Sequence, residues 1–266
     1  MSGSIPTETT ASAHAPAVND SASAAASGPR VTPFAPSAVR DLGSHLRFWL
    51  VAACGLTLDL WSKNWAFGTL TRGEERVIVP NVLEFTIIVN DGALFGIGKG
   101  QTTLFLIASM LALLLVWWMF VQSSPRRWAL QIALGGILAG ALGNMYDRAT
   151  VKLVEGPNGR LYEKLREDAQ AVYLREFPPG NRSARVIRVP IRGDGQSPVG
   201  PERGYVRDFI KIVHHFRKKP TWPWVFNVAD MLLVGGVGIL AIHLWRDRKP
   251  PAPAPSPAVD AAGAAE

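Results

Sequence analysis

Cysteine is nearly missing: the 266-residue chain has one, Cys54, inside an apolar stretch. A single thiol excludes an intramolecular disulfide and makes a cysteine-based metal site untenable. It reads as a small apolar packing residue. Histidine is also sparse, five in all, and only His214 and His215 are adjacent. Neighbours in sequence point apart on a helix or strand, so no shared metal is expected. No H-E-x-x-H string occurs, which disfavours a metalloprotease. Neither a metal nor a cofactor is expected. The N-terminal stretch lacks a basic segment followed by an apolar one, so it does not read as a cleaved secretory signal. Residues 1–45, rich in Ala, Ser, Thr and Pro, read as a disordered tail, as do residues 246–266 with their PPAPAPSPAVDAAGAAE end.

Hydrophobic residues make up 48% of the chain and charged residues 18%, and the apolar ones gather in four blocks at about 46–67, 102–121, 128–146 and 224–245. Each block is close to the ~20 residues with which a helix crosses ~30 Å of hydrocarbon. Arg40 and Arg47 lie at the start of the first block, Arg126 and Arg127 between the second and third, and Arg246, Arg248 and Lys249 after the fourth. The positive-inside rule makes these segments, and both termini, cytoplasmic. The outward segment 149–221 carries 15 lysines and arginines against 8 aspartates and glutamates. Segments longer than about 60 residues cross largely regardless of charge, so this does not reverse the orientation.

The expected fold is an all-α membrane protein. Four transmembrane helices fall within 46–245, joined by a small extracytoplasmic β element and an extracytoplasmic insertion at 149–203. β-branched and aromatic residues at 81–97 and 186–191 suggest short strands. Within the insertion, 160–176 (RLYEKLREDAQAVYLRE) is expected to be a partly amphipathic helix. After it come a Pro178-Pro179-Gly180 break and an exposed strand or hairpin in RSARVIRVPIRGDGQ. The insertion would form a peripheral cap resting on anionic headgroups or on the mature domain of a protein substrate.

Charged groups gather at the outward ends of these blocks: Asp59 and Lys63, Asp147 and Arg148, Asp230, and Asp208 in the outward segment. Such groups are expensive in hydrocarbon and mark functional sites. Asn144 and Asp147 stand three apart, as do Asn227 and Asp230, so each amide shares a helix face with its carboxylate. Asp59 and Lys63, four apart, can pair, and structural helix-end clamping is the preferred reading for them. A proton-relay transporter would distribute polar groups through the membrane depth, against the uncharged second and third blocks. A non-catalytic scaffold binding anionic lipid through 149–221 is a third class.

The ordered strings DLWSK, NDGALFG, GNMYDR, YVRDFI and FNVAD resemble the five signature regions of the lipoprotein signal peptidase (signal peptidase II) family, over most of 46–245. The resemblance implies a membrane aspartic endopeptidase of the bacterial cytoplasmic (inner) membrane, with its active site at the outer face and sensitivity to globomycin. Asp208 and Asp230 match the catalytic dyad. Asn90, Asn144, Asp147, Arg148 and Asn227 match supporting or substrate-contacting positions, and Asp59 and Lys63 of DLWSK are placed with them. The implied substrate is a prolipoprotein cut before its diacylglyceryl-modified cysteine. The expected setting is a monomer among membrane lipid, with no nucleic-acid partner. Two carboxylates sharing one proton would supply the acid and the base, and which of them starts protonated stays open. Departures from the family pattern are Met231 where Ser is common, Leu94 where a small residue is usual, and a long 149–203 in place of a short connection.

Overall fold

The computed structural model describes residues 37–92, 101–177, 185–191, 199–216, 219–220 and 222–247. The two tails (up to 36 and from 248), the Pro178–Gly180 break, Leu94, and the Arg248 and Lys249 of the charge pattern lie outside the described residues. Residues 37–45, expected to belong to the tail, instead form a 3-10 turn at Ala38–Arg40 and the start of the first helix.

Four helices carry the apolar blocks: α1 (Leu42–Thr69), α2 (Thr102–Gln122), α3 (Trp128–Thr150) and α4 (Val228–Arg246). Asp41 starts α1 by accepting the Ser44 N–H on its side chain at 2.7 Å. Asn227 and Asp230 start α4 with a reciprocal capping box. On α1 the buried residues Phe48, Ala52, Gly55, Asp59, Ser62, Lys63 and Ala66 recur at helical spacing, so one stripe faces inward. α3 is the central helix and is buried through most of its length. Its small residues allow close approach: a side chain at Gly140 would begin 2.4 Å from the Ala229 carbonyl oxygen of α4.

The rest is β-structure. β1 (Arg76–Val79), β2 (Leu83–Asn90), β8 (Val206–Ile212) and β11 (Val225–Phe226) form an antiparallel sheet in that order. It packs through Ile87, Phe209 and Ile210 onto Ala66, Phe67 and Leu70 at the end of α1. β3 (Lys152–Glu155), β4 (Leu161–Glu167), β5 (Ala171–Glu176), β6 (Val186–Pro190) and β7 (Arg203–Gly204) form a second antiparallel sheet, ordered β6-β5-β4-β3-β7. A short ladder pairs β9 (His215–Phe216) with β10 (Lys219–Pro220).

The all-α, four-span expectation is therefore corrected. Among the described residues, only α3 and α4 are long and apolar enough to cross a membrane. α1 is interrupted by Arg47, Asp59 and Lys63, and the apolar run described in α2, Leu106–Gln122, is shorter. The β portion is no small element, because the insertion itself folds as a five-stranded sheet.

The helix expected over 160–176 is a hairpin, β4 and β5. Tyr162, Val172 and Leu174 bury one face at strand period while Glu163 and Arg175 pair across the other. The Asp168 side chain accepts the N–H groups of Gln170 and Ala171, both at 2.9 Å, and turns the chain where a helix would have continued. A register shift between Lys164 and Arg166 had blurred the alternation. The strands expected near 81–97 and 186–191 are present as β2, up to Asn90, and β6.

Candidate active site

The first sheet and the helix pair α3/α4 converge on two carboxylates. Asp208 stands in β8 opposite Ile88 and is buried. Asp230 occupies the first turn of α4. Three amides hold them. Asn90, at the end of β2, donates to Asp208 Oδ2 at 3.1 Å, and Asn227 Nδ2 donates to Asp208 Oδ1 at 2.6 Å. Asn144 Nδ2 on α3 donates to Asp230 Oδ1 at 2.8 Å, while the Asn227 backbone N–H donates to Asp230 Oδ2 at 3.2 Å.

The pairing is crosswise to the one expected from spacing. Asn144 serves Asp230 rather than Asp147, and the Asn227 amide serves Asp208, although its Oδ1 also accepts the Asp230 N–H at 3.0 Å. Asn227 Nδ2 also reaches Asn144 Oδ1 at 3.2 Å, so one amide ladder joins the two carboxylates.

A cavity of about 570 Å³ opens over the pair. Asn90, Asn144, Arg148, Asp208 and Asp230 line its polar part, and Trp222, Trp224, Phe226 and Val234 its apolar part. Met231, one of the departures noted above, lines it too. Arg148 is buried and donates from Nη2 to the Gly92 carbonyl at 2.7 Å. Burial, and then the negative charge of Asp230 beside it, pushes the Asp208 carboxyl up to about 8, against the lowering effect of its two amide donors. A cavity lined by both polar and apolar side chains suits a substrate with a peptide bond and a greasy flank. Among the described residues, no group of three or more His, Cys, Asp or Glu side chains is placed to hold a metal ion.

The family model described as signal peptidase (SPase) II matches residues 51–246. The chain belongs to the signal peptidase II family. A lipoprotein signal peptidase of Clostridium novyi is 29% identical over 200 residues, covering 75% of this chain and 98% of that relative. One from Bifidobacterium longum subsp. infantis is 35% identical over 101 residues, 38% of this chain and 54% of the relative. A solved bacterial membrane enzyme aligns with a TM-score of 0.51 at 23% identity, over 74% of this chain and 87% of its own, a likeness in fold alone. Signal peptidase II proteins are membrane-bound proteases, and α3 and α4 supply apolar helices of the required length.

Of the residues singled out from sequence, Asn90, Asn144, Arg148, Asp208 and Asp230 meet at the cavity of this signal peptidase II fold. Asn227 lies just behind them and is fully buried. Asp59, Lys63 and Asp147 do not reach the cavity and form a buried ionic layer beneath it. Sequence reasoning missed Arg207. Its backbone N–H donates to Asp147 Oδ2 at 3.0 Å, its Nε and Nη2 to Asp147 Oδ1 at 3.1 and 2.7 Å, and its Nη1 to Asn64 at 2.6 Å. The one available signal was its place beside Asp208, on the opposite face of the same strand.

Proposed function

We propose that this chain is an aspartic endopeptidase that removes signal peptides from diacylglyceryl-modified prolipoproteins, cutting before the lipidated cysteine. The observation that carries the reading is the pair Asp208 and Asp230, side by side on one cavity and linked through Asn227 and Asn144. Two adjacent carboxylates share a proton. The ionised one takes a proton from water as that water attacks the scissile carbonyl, and the protonated one hydrogen-bonds the carbonyl oxygen and later protonates the leaving amine. Asn90 and Arg148 line the polar side, where they hold the peptide, and Arg148 brings a planar fork of donors. The apolar wall of Trp222, Trp224 and Val234 receives the lipid-bearing side.

The ends of α3 and α4 support one orientation. Arg126 and Arg127 precede α3, Arg246 ends α4, and Arg127 joins these ends through Asp247 at 2.6 Å. Basic residues mark the cytoplasmic side, which supports a dyad at the outer face of a bacterial cytoplasmic membrane. The start of α1 sits at the same cytoplasmic level, with Arg47 donating to Gln131 and to the Pro125 carbonyl. In this reading the described chain starts and ends, at 37 and 247, on the cytoplasmic side, and the working unit is a monomer in lipid with no nucleic-acid partner. The test is cleavage of a lipidated prolipoprotein in liposomes. Cleavage before the cysteine should persist in EDTA and stop with globomycin. Loss of activity in EDTA with recovery on adding zinc overturns the two-carboxylate mechanism.

A further inference from the structure

Two buried carboxylates that never reach the cavity each grip the backbone one residue before a dyad aspartate. Asp59 Oδ1 accepts the N–H of Ala229, which precedes Asp230, at 2.8 Å. Asp147 Oδ2 accepts the N–H of Arg207, which precedes Asp208, at 3.0 Å. One ammonium joins them. Lys63 Nζ donates to Asp59 Oδ2 at 2.8 Å and lies 3.3 Å from Asp147 Oδ2. A second N–H goes to Asn144 Oδ1 at 3.1 Å, the same amide that holds Asp230 through Nδ2. The ammonium thus has two hydrogen-bond acceptors and a second carboxylate at ion-pair distance, and all three ionic side chains are fully buried.

We propose that Asp59, Lys63 and Asp147 form a positioning yoke that fixes the spacing of Asp208 and Asp230. Asp59 seats the N-terminus of α4, Asp147 seats β8, and Lys63 ties one seat to the other across α1 and α3. This inference rests on the reading of Asp208 and Asp230 as the dyad.

The packing is built around the tie. A side chain at Gly143 of α3 would begin 2.3 Å from Asp59 Oδ2, so the carboxylate fits only because residue 143 has none. Arg207 clasps Asp147 and Asn64, so two cations face two carboxylates. The charges of Asp208 and Asp230 lie within reach of Lys63, and Arg148 faces the dyad from α3. A buried ion pair is a poor device for net stability, since an apolar replacement of like volume often does as well. Holding two backbone segments at a set separation is something an apolar replacement cannot do.

The test uses the full chain in detergent with a lipidated prolipoprotein fragment. The triple variant Asp59→Asn/Lys63→Met/Asp147→Asn keeps side-chain volume and an oxygen for each backbone N–H, but removes the ionic tie. Lys63→Met alone removes the cation nearest the dyad. For the triple variant, a retained cooperative melt, KM within about threefold and kcat lowered by about tenfold or more are expected, as for slightly misplaced reacting groups. For Lys63→Met, the acid limb of the pH profile should also move to higher pH. Wild-type kcat in a folded triple variant, with or without a changed melting temperature, overturns the yoke. Asp208→Asn separates the two readings: turnover by that variant overturns the dyad itself, whereas an inactive Asp208→Asn beside a fully active triple variant overturns the yoke alone.

Discussion

Two groups of ion pairs in this protein do different work. Beneath the dyad, Lys63, Asp59 and Asp147 have no solvent exposure, and Arg207 has little. On the insertion sheet, Arg160–Glu176, Lys164–Glu167, Arg166–Asp168 and Arg175–Glu163 use the same chemistry with a third or more of each side chain in solvent. Buried charges cost desolvation and must be fully partnered, so their geometry is fixed. Solvated charges are screened and free to exchange partners. The first region sets atomic positions at the site, and the second keeps a sheet soluble. Changes in the first should remove function, and changes in the second should barely register.

The largest effect belongs to the dyad. Asp208→Asn keeps the size and one of the two amide contacts but cannot exchange a proton, so cleavage should drop by about a thousandfold or more with substrate binding retained. Residual turnover within about tenfold of wild type defeats the assignment. In the wild-type protein the carboxyl on β8 holds its proton up to about 8. Activity should fall as pH rises through that value, because the pair then loses the shared proton. The linkage has a definite sign. A carboxyl whose folded value lies above its ordinary 3.8 contributes stability at acid pH and gives it up as pH climbs towards about 8. Asp208→Asn lacks this ionisation, so its melting temperature should decline less than that of wild type between pH 5 and pH 9. Parallel declines would show that Asp208 titrates in its ordinary range.

The site was more legible in the sequence than the fold around it. Asp208, Asp230, Asn90, Asn144 and Arg148 stood in recognisable strings, and the structure brings them to one cavity. The pairing between strings was not legible. Asn144 lies three residues from Asp147 yet holds Asp230, because α3 and α4 approach closely at Gly140 and turn the amide toward the neighbouring helix. Arg207 stayed hidden because one arginine beside Asp208 gives no sign of which carboxylate will clasp it.

The fold class failed for a different reason. Four apolar blocks look like four spans, but Asp59 and Lys63 are buried against protein groups, and composition cannot tell burial in protein from burial in lipid. In 160–176 a helical spacing of Leu and Tyr outweighed the turn-forming Asp168, whose side chain closes the β4–β5 turn.

A smaller effect is expected from removing most of the insertion. Its two ends are already joined: Lys152 and Leu153 of β3 pair with Gly204 and Arg203 of β7, and Gly200 N–H donates to the Glu155 carbonyl at 2.9 Å. The Tyr205 N–H donates to Val151 at 3.0 Å, three residues before Asp208. Replacing 157–199 with a short Gly/Ser linker leaves this seam in place, so a minimal lipidated peptide should still be cut at close to the wild-type rate. Action on full-length substrate or on anionic liposomes should weaken, since each Lys or Arg near an acidic surface contributes up to ~1 kcal/mol. A folded deletion variant that cannot cut the minimal peptide would make the sheet part of the catalytic core.

The smallest effect sharpens the contrast between the two regions. Arg160, 60% exposed at its side chain, meets Glu176 at 3.1 Å near the end of the β4–β5 hairpin, with β4 paired to β5 through Tyr162 and Glu176. Water solvates both groups well in either state, and holding two long side chains together costs rotamer freedom, so such pairs contribute ~0–1 kcal/mol. A double-mutant cycle over Arg160→Ala and Glu176→Ala, read by thermal or denaturant unfolding in detergent, should give a coupling below about 0.5 kcal/mol that fades with salt. The same cycle over Asp59→Asn and Lys63→Met should give a coupling several times larger, because Lys63→Met leaves Asp59 buried without its counter-charge and Asp59→Asn leaves two buried cations sharing Asp147, with breaking such a pair costing about 3–5 kcal/mol. It should also be nearly insensitive to salt, since ions do not reach a fully buried pair. Equal couplings, or equal salt dependence, would mean that solvent reaches the layer beneath the dyad. The rigidity attributed to that layer would then have no physical basis.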